Sequence, residues 1–296
     1  MRLSAVVLLV LLMVACAEEA EPLPEAAGWE EAFDASDGWL LNVGGASADD
    51  LYAVGGHPRG GRVQHFDGTQ WAPGGPAFGT PLLNWVHAFS PDNVVVVGSR
   101  GAVLRFDGAA WTRDETPTDK DLWGVWGAAP DDLWAVGGNG REDGQATLMR
   151  WDGDSWTLVE IPRLERPQVW AWFKVWGSGP DDVYIVGQRG AVLHWDGAAL
   201  TELFVGASDD LIAVWGTGPD LVVAVGGRAN GLISVWDGAQ WETHDLAPVP
   251  GINGVWMRGP VAHIGGVLGT LGTFDTRSGE LDLVDADTQM DFHAMY

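Results

Sequence analysis

The sequence predicts an all-β protein, a β-propeller of four-stranded blades, from three observations. One stretch of sequence recurs six times along the 296 residues. The glycine that ends its most regular strand recurs at intervals of 43, 39, 50, 39 and 39 residues. Each copy holds several short runs of β-branched and aromatic residues between Gly, Pro and Asp turns. A repeat of this length is typical of propellers, and because one unit cannot bury its own apolar face, the copies are expected to form one domain. The glycines are Gly55, Gly98, Gly137, Gly187, Gly226 and Gly265.

The third copy shows how a blade is predicted. Its four runs cover residues 122–126, 132–137, 147–151 and 155–159, each a few residues long and rich in Val, Leu and Trp. A Pro-Asp-Asp turn joins the first run to the second, and an Asp-Gly turn joins the third to the fourth. Proline presets φ, aspartate caps the following amides, and glycine accepts positive φ, so both sequences favour tight turns.

The two ends of the repeat region predict an incomplete blade. Residues 29–33 have the pattern of a fourth strand that precedes the first copy, and residues 291–296 have that of a first strand that follows the sixth. We therefore predict a propeller over residues 29–296 with six full repeats plus a partial seventh. The alternative is a six-bladed ring with spare flanks.

The N-terminus predicts export. Residues 1–15 read as a signal peptide, with Arg2 before an apolar run of 12 residues that is too short to span a bilayer. The following Met13-Val14-Ala15-Cys16 resembles a bacterial lipobox, which implies lipidation of Cys16. The alternative is a secretory signal cut after Ala17. Residues 16–28 are acidic and aperiodic, so we expect the lipidated cysteine to be followed by a flexible tether.

The amino-acid sequence of the repeat resembles two known groups of repeat proteins. Diglycines that end the second strand, an aromatic-Asp pair and a later Trp resemble kelch-type repeats, as in Gly137-Gly138, Trp151-Asp152 and Trp156. The sentence "VWG…PDDVYIVG" resembles repeat lipoproteins common in myxobacteria and their relatives. This resemblance covers residues 29–296 and implies an outer-membrane lipoprotein on the cell surface or the periplasmic side.

Composition excludes several functions. A net charge of −25 argues against nucleic acid as a partner, because phosphate backbones require a basic surface. Cys16 is the one cysteine, so no internal disulfide, cysteine-ligated metal or Tyr–Cys crosslink of the galactose-oxidase type is expected. The paired aspartates are expected to cap turns rather than bind calcium, and no cofactor or metal is predicted.

Arginines and irregular aromatics form the candidate ligand site. In a four-stranded blade, the loop between the second and third strands opens on the same face as the connection between blades. The arginines predicted near these loops are Arg59, Arg62, Arg100, Arg141, Arg189 and Arg228. The aromatics near the channel entry that not all copies share are Trp123, Trp170, Trp172 and Phe173. Arginine binds carboxylate, sulfate or phosphate bidentately, which predicts an anionic polysaccharide or peptide ligand. The alternative is that each arginine pairs with an acid of a neighbouring blade.

These observations predict a non-enzymatic, lipid-anchored module that binds a ligand or a protein at the cell envelope. A carbohydrate-active enzyme, either a glycosidase or a lyase, and a structural assembly factor are the alternatives. Two carboxylates converging in the central channel would favour the glycosidase.

Overall fold

The computed structural model describes residues 38–140 and 146–296, which belong to the compact unit Ala32–Tyr296. The predicted signal peptide, Cys16, the tether and the segment 29–33 lie outside the described residues, as does Arg141. In the described ranges, no helix is long and apolar enough to cross a membrane.

Twenty-four strands form six antiparallel four-stranded sheets, each from four consecutive strands. Blade 1 contains β1 (Trp39–Ser47), β2 (Asp50–His57), β3 (Gly60–Phe66) and β4 (Trp71–Pro73), and blade 2 contains β5 (Leu83–Ser90), β6 (Asn93–Gly98), β7 (Val103–Phe106) and β8 (Trp111–Arg113). Blade 3 contains β9 (Leu122–Ala129), β10 (Asp132–Gly137), β11 (Thr147–Trp151) and β12 (Trp156–Leu158), and blade 4 contains β13 (Trp172–Gly179), β14 (Asp182–Gly187), β15 (Val192–Trp195) and β16 (Leu200–Leu203). Blade 5 contains β17 (Leu211–Gly218), β18 (Leu221–Gly226), β19 (Leu232–Trp236) and β20 (Trp241–Asp245), and blade 6 contains β21 (Ile252–Arg258), β22 (Val261–Gly266), β23 (Leu271–Asp275) and β24 (Leu281–Leu283). Short 3-10 turns occur at Gln188–Gly190 and Val267–Gly269.

The strands follow the repeat because its pattern suits a sheet buried on both faces. The second strand of each blade is nearly all buried, as in β6, where four consecutive valines are inaccessible to solvent. Such continuous β-branched runs pack against a neighbouring blade on either side. The register corrects one repeat assignment, because Gly266 rather than Gly265 pairs with the first-strand residue Ile252.

Five apolar clusters join successive blades. Each cluster contains residues from two neighbouring blades, from the pair of blades 1 and 2 to the pair of blades 5 and 6. The shared tryptophans contribute here, since a Cβ added at Gly177 would lie 2.7 Å from the Trp126 ring and one added at Gly216 would lie 2.5 Å from the Trp176 ring. Glycine on one blade therefore makes room for tryptophan of the preceding blade.

No such cluster joins blade 6 to blade 1 within residues 38–140 and 146–296. Residues 291–296 lie there instead: the Phe292 amide donates to the Gly266 carbonyl at 2.9 Å, and the Tyr296 hydroxyl donates to the Gly45 carbonyl at 2.5 Å. We call this junction the seam. Residues 291–296 carry no strand assignment, so the structure is the six-bladed alternative, and the predicted partial seventh blade is not confirmed.

Candidate functional site

The propeller has two faces with different chemistry. One face, the turn face, carries the Pro-Asp turns and the Asp-Gly turns, which touch each other: a Cβ added at Gly108 would lie 2.5 Å from Asp92 Oδ1, and one at Gly197 would lie 2.8 Å from Asp181 Oδ1. The opposite face, the loop face, carries the loops between second and third strands and the connections between blades. The acidic turns are therefore separated from the loops that carry the candidate arginines.

Aspartates of the connections hold the loops of the loop face in place. In blades 2, 4 and 6, a backbone amide in the loop between the second and third strands donates a hydrogen bond to an aspartate. That aspartate lies in the connection that follows the blade. The pairs are Arg100 N to Asp121 at 2.9 Å, Arg189 N to Asp210 at 2.8 Å and Leu268 N to Asp291 at 2.9 Å. Each donor residue has a φ between 56° and 59°, and a glycine with positive φ follows it. The predicted match between Arg100-Gly101 and Arg189-Gly190 is thus a shared left-handed turn.

Three arginines surround one cavity on the loop face, between blades 1 and 2. It has a volume of about 260 Å³. Its walls are formed by Arg59, Gly79, Thr80, Pro81, Arg100 and Arg113, which we call the arginine cavity. The three arginines are exposed, and within the described residues none of them forms an ion pair. The Arg100 guanidinium donates to the Pro58 carbonyl at 3.3 Å, which places it toward blade 1.

The other predicted arginines that the structure describes do not line this cavity. Arg228 forms an ion pair with Asp210 at 2.7 Å, as the alternative interpretation expected. Arg189 occupies the equivalent turn in blade 4, and its carbonyl accepts a hydrogen bond from Arg166. Arg62 lies in β3 and is half-buried. The structure therefore brings together Arg59 and Arg100, adds Arg113, and places Arg62, Arg189 and Arg228 elsewhere.

The four predicted aromatics differ in their surroundings, and Phe173 is half-buried and lines the channel at the loop face. Trp172 is fully buried in the cluster between blades 3 and 4, so it is unavailable to a ligand and its predicted role is corrected to core packing. Its register position is held by leucine in blades 2, 3 and 5, which explains the burial. Trp170 is half-buried in the connection before β13, where its amide donates to Gln188 at 2.8 Å. Trp123 lines the channel at the loop face, and its indole N–H donates to the Gly138 carbonyl at 2.9 Å.

The loop-face end of the channel is a second cavity, which we call the channel mouth. It has a volume of about 360 Å³. Each blade and residues 291–296 contribute one equivalent residue to its wall: Leu41, Asn84, Trp123, Phe173, Ile212, Asn253 and His293. Asn84 donates to Leu122 O at 2.8 Å, and Asn253 donates to Phe292 O at 3.2 Å in the same manner. Lys174 and Arg228 complete the lining.

Sequence reasoning missed Lys174, Arg113 and His293. A signal for Lys174 existed, because lysine occurs twice in the chain and here it interrupts an apolar first strand. Arg113 could not be found from the loop pattern, since it ends the outer strand β8. His293 lines the channel because residues 291–296 fill the seam.

The turn-face end of the channel is aromatic. Trp126, Trp176, Trp215, Trp256 and Tyr296 line it at equivalent positions, together with His87. Burial lowers the pKa of His87 to about 4. Neither end of the channel has a carboxylate in its described lining, and no group of three or more His, Cys, Asp or Glu side chains that could hold a metal occurs in residues 38–140 and 146–296.

Histidines at a shared strand position form structural pairs. His65 Nε2 lies 2.7 Å from Asp50 Oδ1 and its ring stacks on Tyr52 at 4.4 Å; His194 does the same with Asp182 and Tyr184 at 2.7 and 4.5 Å. Burial raises the pKa of Tyr52 to about 12, with Asp50 and Asp92 adding to the effect. These pairs lie toward the turn face and explain the two histidines without a ligand.

Comparison with known proteins supports the architecture. The chain matches no protein-family model and no curated protein. Among solved structures it is similar to one described as YCF48 bound to D1 peptide, with a TM-score of 0.53 and 16% identity over 70% of this chain and 68% of that chain. The fold is that of a β-propeller. At this identity the similarity concerns the fold alone, and function must be argued from the site.

Proposed function

We propose that this protein is a non-catalytic interaction module whose arginine cavity binds an acidic segment of a partner protein. The observation that carries the proposal is the arginine cavity itself. Three guanidinium groups surround one concavity without an ion-pair partner in the described residues, in a chain of net charge −25. Because the protein as a whole is strongly acidic, a concavity lined by these three guanidinium groups attracts a carboxylate that most of the surface would repel.

Two further points support a peptide over the other ligand classes. The fold neighbour is described as having a bound peptide, which makes a propeller–peptide complex a sound comparison. The arginine cavity is open and lies between two blades, where an extended segment has access from the side. An acidic polysaccharide offers the same charged groups, and the experiment below distinguishes it.

The cellular setting belongs to the same proposal. The resemblance of residues 13–16 to a lipobox, together with the resemblance of the repeats to myxobacterial lipoproteins, supports an exported protein held to the outer membrane through a lipid on Cys16. An assembly factor would be one form of such an interaction module. A two-carboxylate glycosidase has less support, since the described lining of the channel contains no carboxylate.

The experiment uses a matched pair of arginines. Arg100→Asn and Arg189→Asn change the same left-handed turn and the same charge, and asparagine tolerates positive φ. Fluorescence anisotropy would follow labelled peptides rich in Asp and Glu, with oligogalacturonate as the polysaccharide probe, at low and high salt. We expect salt-sensitive peptide binding that weakens by about tenfold in Arg100→Asn and in Arg113→Gln, and that is unchanged in Arg189→Asn.

Two results would contradict the proposal. Equal losses in Arg100→Asn and Arg189→Asn would indicate a diffuse charge effect instead of one cavity. Binding of oligogalacturonate but not of the peptides would replace the protein partner by a polysaccharide.

A further inference from the structure

The first strand of blade 4, β13, contains a lysine that faces the channel, and no other described first strand has a lysine at this register position. Lys174 in β13 pairs with Val186, and the residues at this register position in the other blades are Asn42, Trp85, Gly124, Ala213 and Gly254. Close packing surrounds it, since a Cβ added at Gly124 would lie 3.1 Å from Lys174 Cα. A long cationic side chain has therefore been placed in the wall of the channel.

The Lys174 ammonium has neutral partners only. Its Nζ donates to the Trp123 carbonyl at 2.8 Å and lies 4.4 Å from the centre of the Trp85 ring. Within the described residues it forms no ion pair. Burial lowers the pKa of Lys174 to about 7, because the charge is desolvated without a carboxylate to compensate it. A half-buried, desolvated cation of this kind binds an anion with a larger gain than a fully exposed one does.

The channel mouth above Lys174 has an apolar wall and a cationic rim. Trp123, Phe173 and Ile212 provide the apolar surface. The Arg228 guanidinium lies 5.5 Å from the centre of the Phe173 ring, but it already forms an ion pair with Asp210. A volume of about 360 Å³ lies in the range that accommodates a small ligand.

The geometry points to a binding site for an apolar monocarboxylate at the channel mouth, with the hydrocarbon part against Trp123, Phe173 and Ile212 and the carboxylate on Lys174 Nζ. Either a free organic acid or the C-terminal residue of a peptide provides this chemistry. The inference goes beyond the proposed function, because the channel mouth and the arginine cavity share no lining residue.

Protonation links binding to pH. The charged groups around Lys174 in the channel mouth are Arg228, paired with Asp210, and His293. Burial lowers the pKa of His293, Asp291 opposes that effect, and the Lys174 charge adds to it. A carboxylate stabilises the protonated form of Lys174, so the complex takes up a proton and affinity falls as the pH rises through about 7. The pKa of His293 lies below its ordinary value, so His293 loses its proton at a lower pH than a free imidazole does.

The experiment compares a carboxylate with its amide. Isothermal titration calorimetry on the full chain would use 4-phenylbutyrate against 4-phenylbutanamide, and a tripeptide ending in Phe against its C-terminal amide. We expect each acid to bind at least about tenfold more tightly than its amide at pH near 6, with the difference shrinking at higher pH. Binding of 4-phenylbutyrate but not of the tripeptide identifies a free organic acid, and the reverse preference identifies a peptide terminus.

Lys174→Met and Lys120→Met form a matched pair, since each removes one charge and Lys120 lies in a connection outside the channel mouth. Lys174→Met should lose the preference for the acid and its pH dependence, whereas Lys120→Met and Arg100→Asn should keep both. Equal affinity of acid and amide for the unmodified protein, or an unchanged preference in Lys174→Met, would overturn the inference. The first comparison needs no variant, so it stands even if Lys174→Met does not fold, and retention of acid binding by Arg100→Asn separates this site from the arginine cavity.

Discussion

The five ordinary blade junctions and the seam close the same ring by different means. At each ordinary junction, two four-stranded sheets bury an apolar cluster between them. At the seam, residues 291–296 lie between blade 6 and blade 1 as a single segment. Of the described large hydrophobic residues that are exposed, most lie in β1, in blade 6 or near this segment: Trp39, Leu268, Leu283, Val284, Met290 and Tyr296. Among residues 38–140 and 146–296, the ring is therefore closed here by one segment at the place of an inner strand, and apolar side chains near it are exposed to water.

The largest effect is expected when equivalent residues are replaced by alanine at an ordinary junction and at the seam. Leu211 begins β17 and is fully buried at an ordinary junction, and Phe292 occupies the corresponding place in the seam, where it is half-buried. Leu211→Ala should cost about 2–5 kcal/mol of unfolding free energy through lost burial and a cavity. Phe292→Ala should cost less although its side chain is larger, as measured by urea unfolding. An equal or greater loss at Phe292 would mean that the seam is packed as firmly as the other junctions.

A smaller effect is expected from the glycines that follow the left-handed turns. A Cβ added at Gly101 would lie 2.0 Å from the Thr118 carbonyl, and one added at Gly269 would lie 2.0 Å from the Thr288 carbonyl. Both residues also have positive φ. Gly101→Ala should cost roughly 1–3 kcal/mol. Gly269→Ala should cost less, because Thr288 lies in the mostly exposed connection that leads into the seam. Thermal unfolding of both variants checks this, and equal costs would argue against a softer seam.

The smallest effect is expected at the turns between third and fourth strands, whose stability should not depend on how near they are to the seam. Asp107 and Asp275 each accept two backbone hydrogen bonds in the turn between third and fourth strands. These bonds lower the pKa of both carboxyls below the ordinary value of 3.8. The stabilisation is therefore present above that value and is lost as the pH falls through the lowered pKa. Asp107→Ala and Asp275→Ala should weaken the acid sensitivity of unfolding by similar small amounts, and a difference between them would extend the influence of the seam to the turn face.

The blades could be predicted from sequence because each local signal agreed with the others. The predicted runs 132–137 and 147–151 coincide with β10 and β11, and the Asp-Gly turns have the positive φ that their sequence requires. In the sixth copy, Asp275 still caps its turn although the Asp-Gly pair is missing, with Gly279 supplying the positive φ. Turns can be predicted from the sequence because their hydrogen bonds and φ angles depend on residues that are neighbours in the chain.

The candidate site was less predictable because it depends on register and on contacts between blades. Trp172 was assigned to a ligand as an irregular aromatic, yet it occupies a core position that leucine fills elsewhere. Arg59, Arg100 and Arg113 meet because blades 1 and 2 are neighbours, which repeat alignment does not convey. Lys174 is placed by its register in β13, and its significance comes from the absence of an acid in the described surroundings.

The two His–Asp–Tyr groups also contact the neighbouring blade. Tyr52 contacts Trp111 of the next blade edge-on at 6.4 Å, and Tyr184 contacts Trp241 of the next blade in the same way at 5.9 Å. The junction of blades 1 and 2 therefore repeats at the junction of blades 4 and 5, three blades further along. Through these contacts a histidine of one blade is linked by its tyrosine to an outer-strand tryptophan of the next, so a substitution at His65 or His194 should also affect the packing across a blade junction.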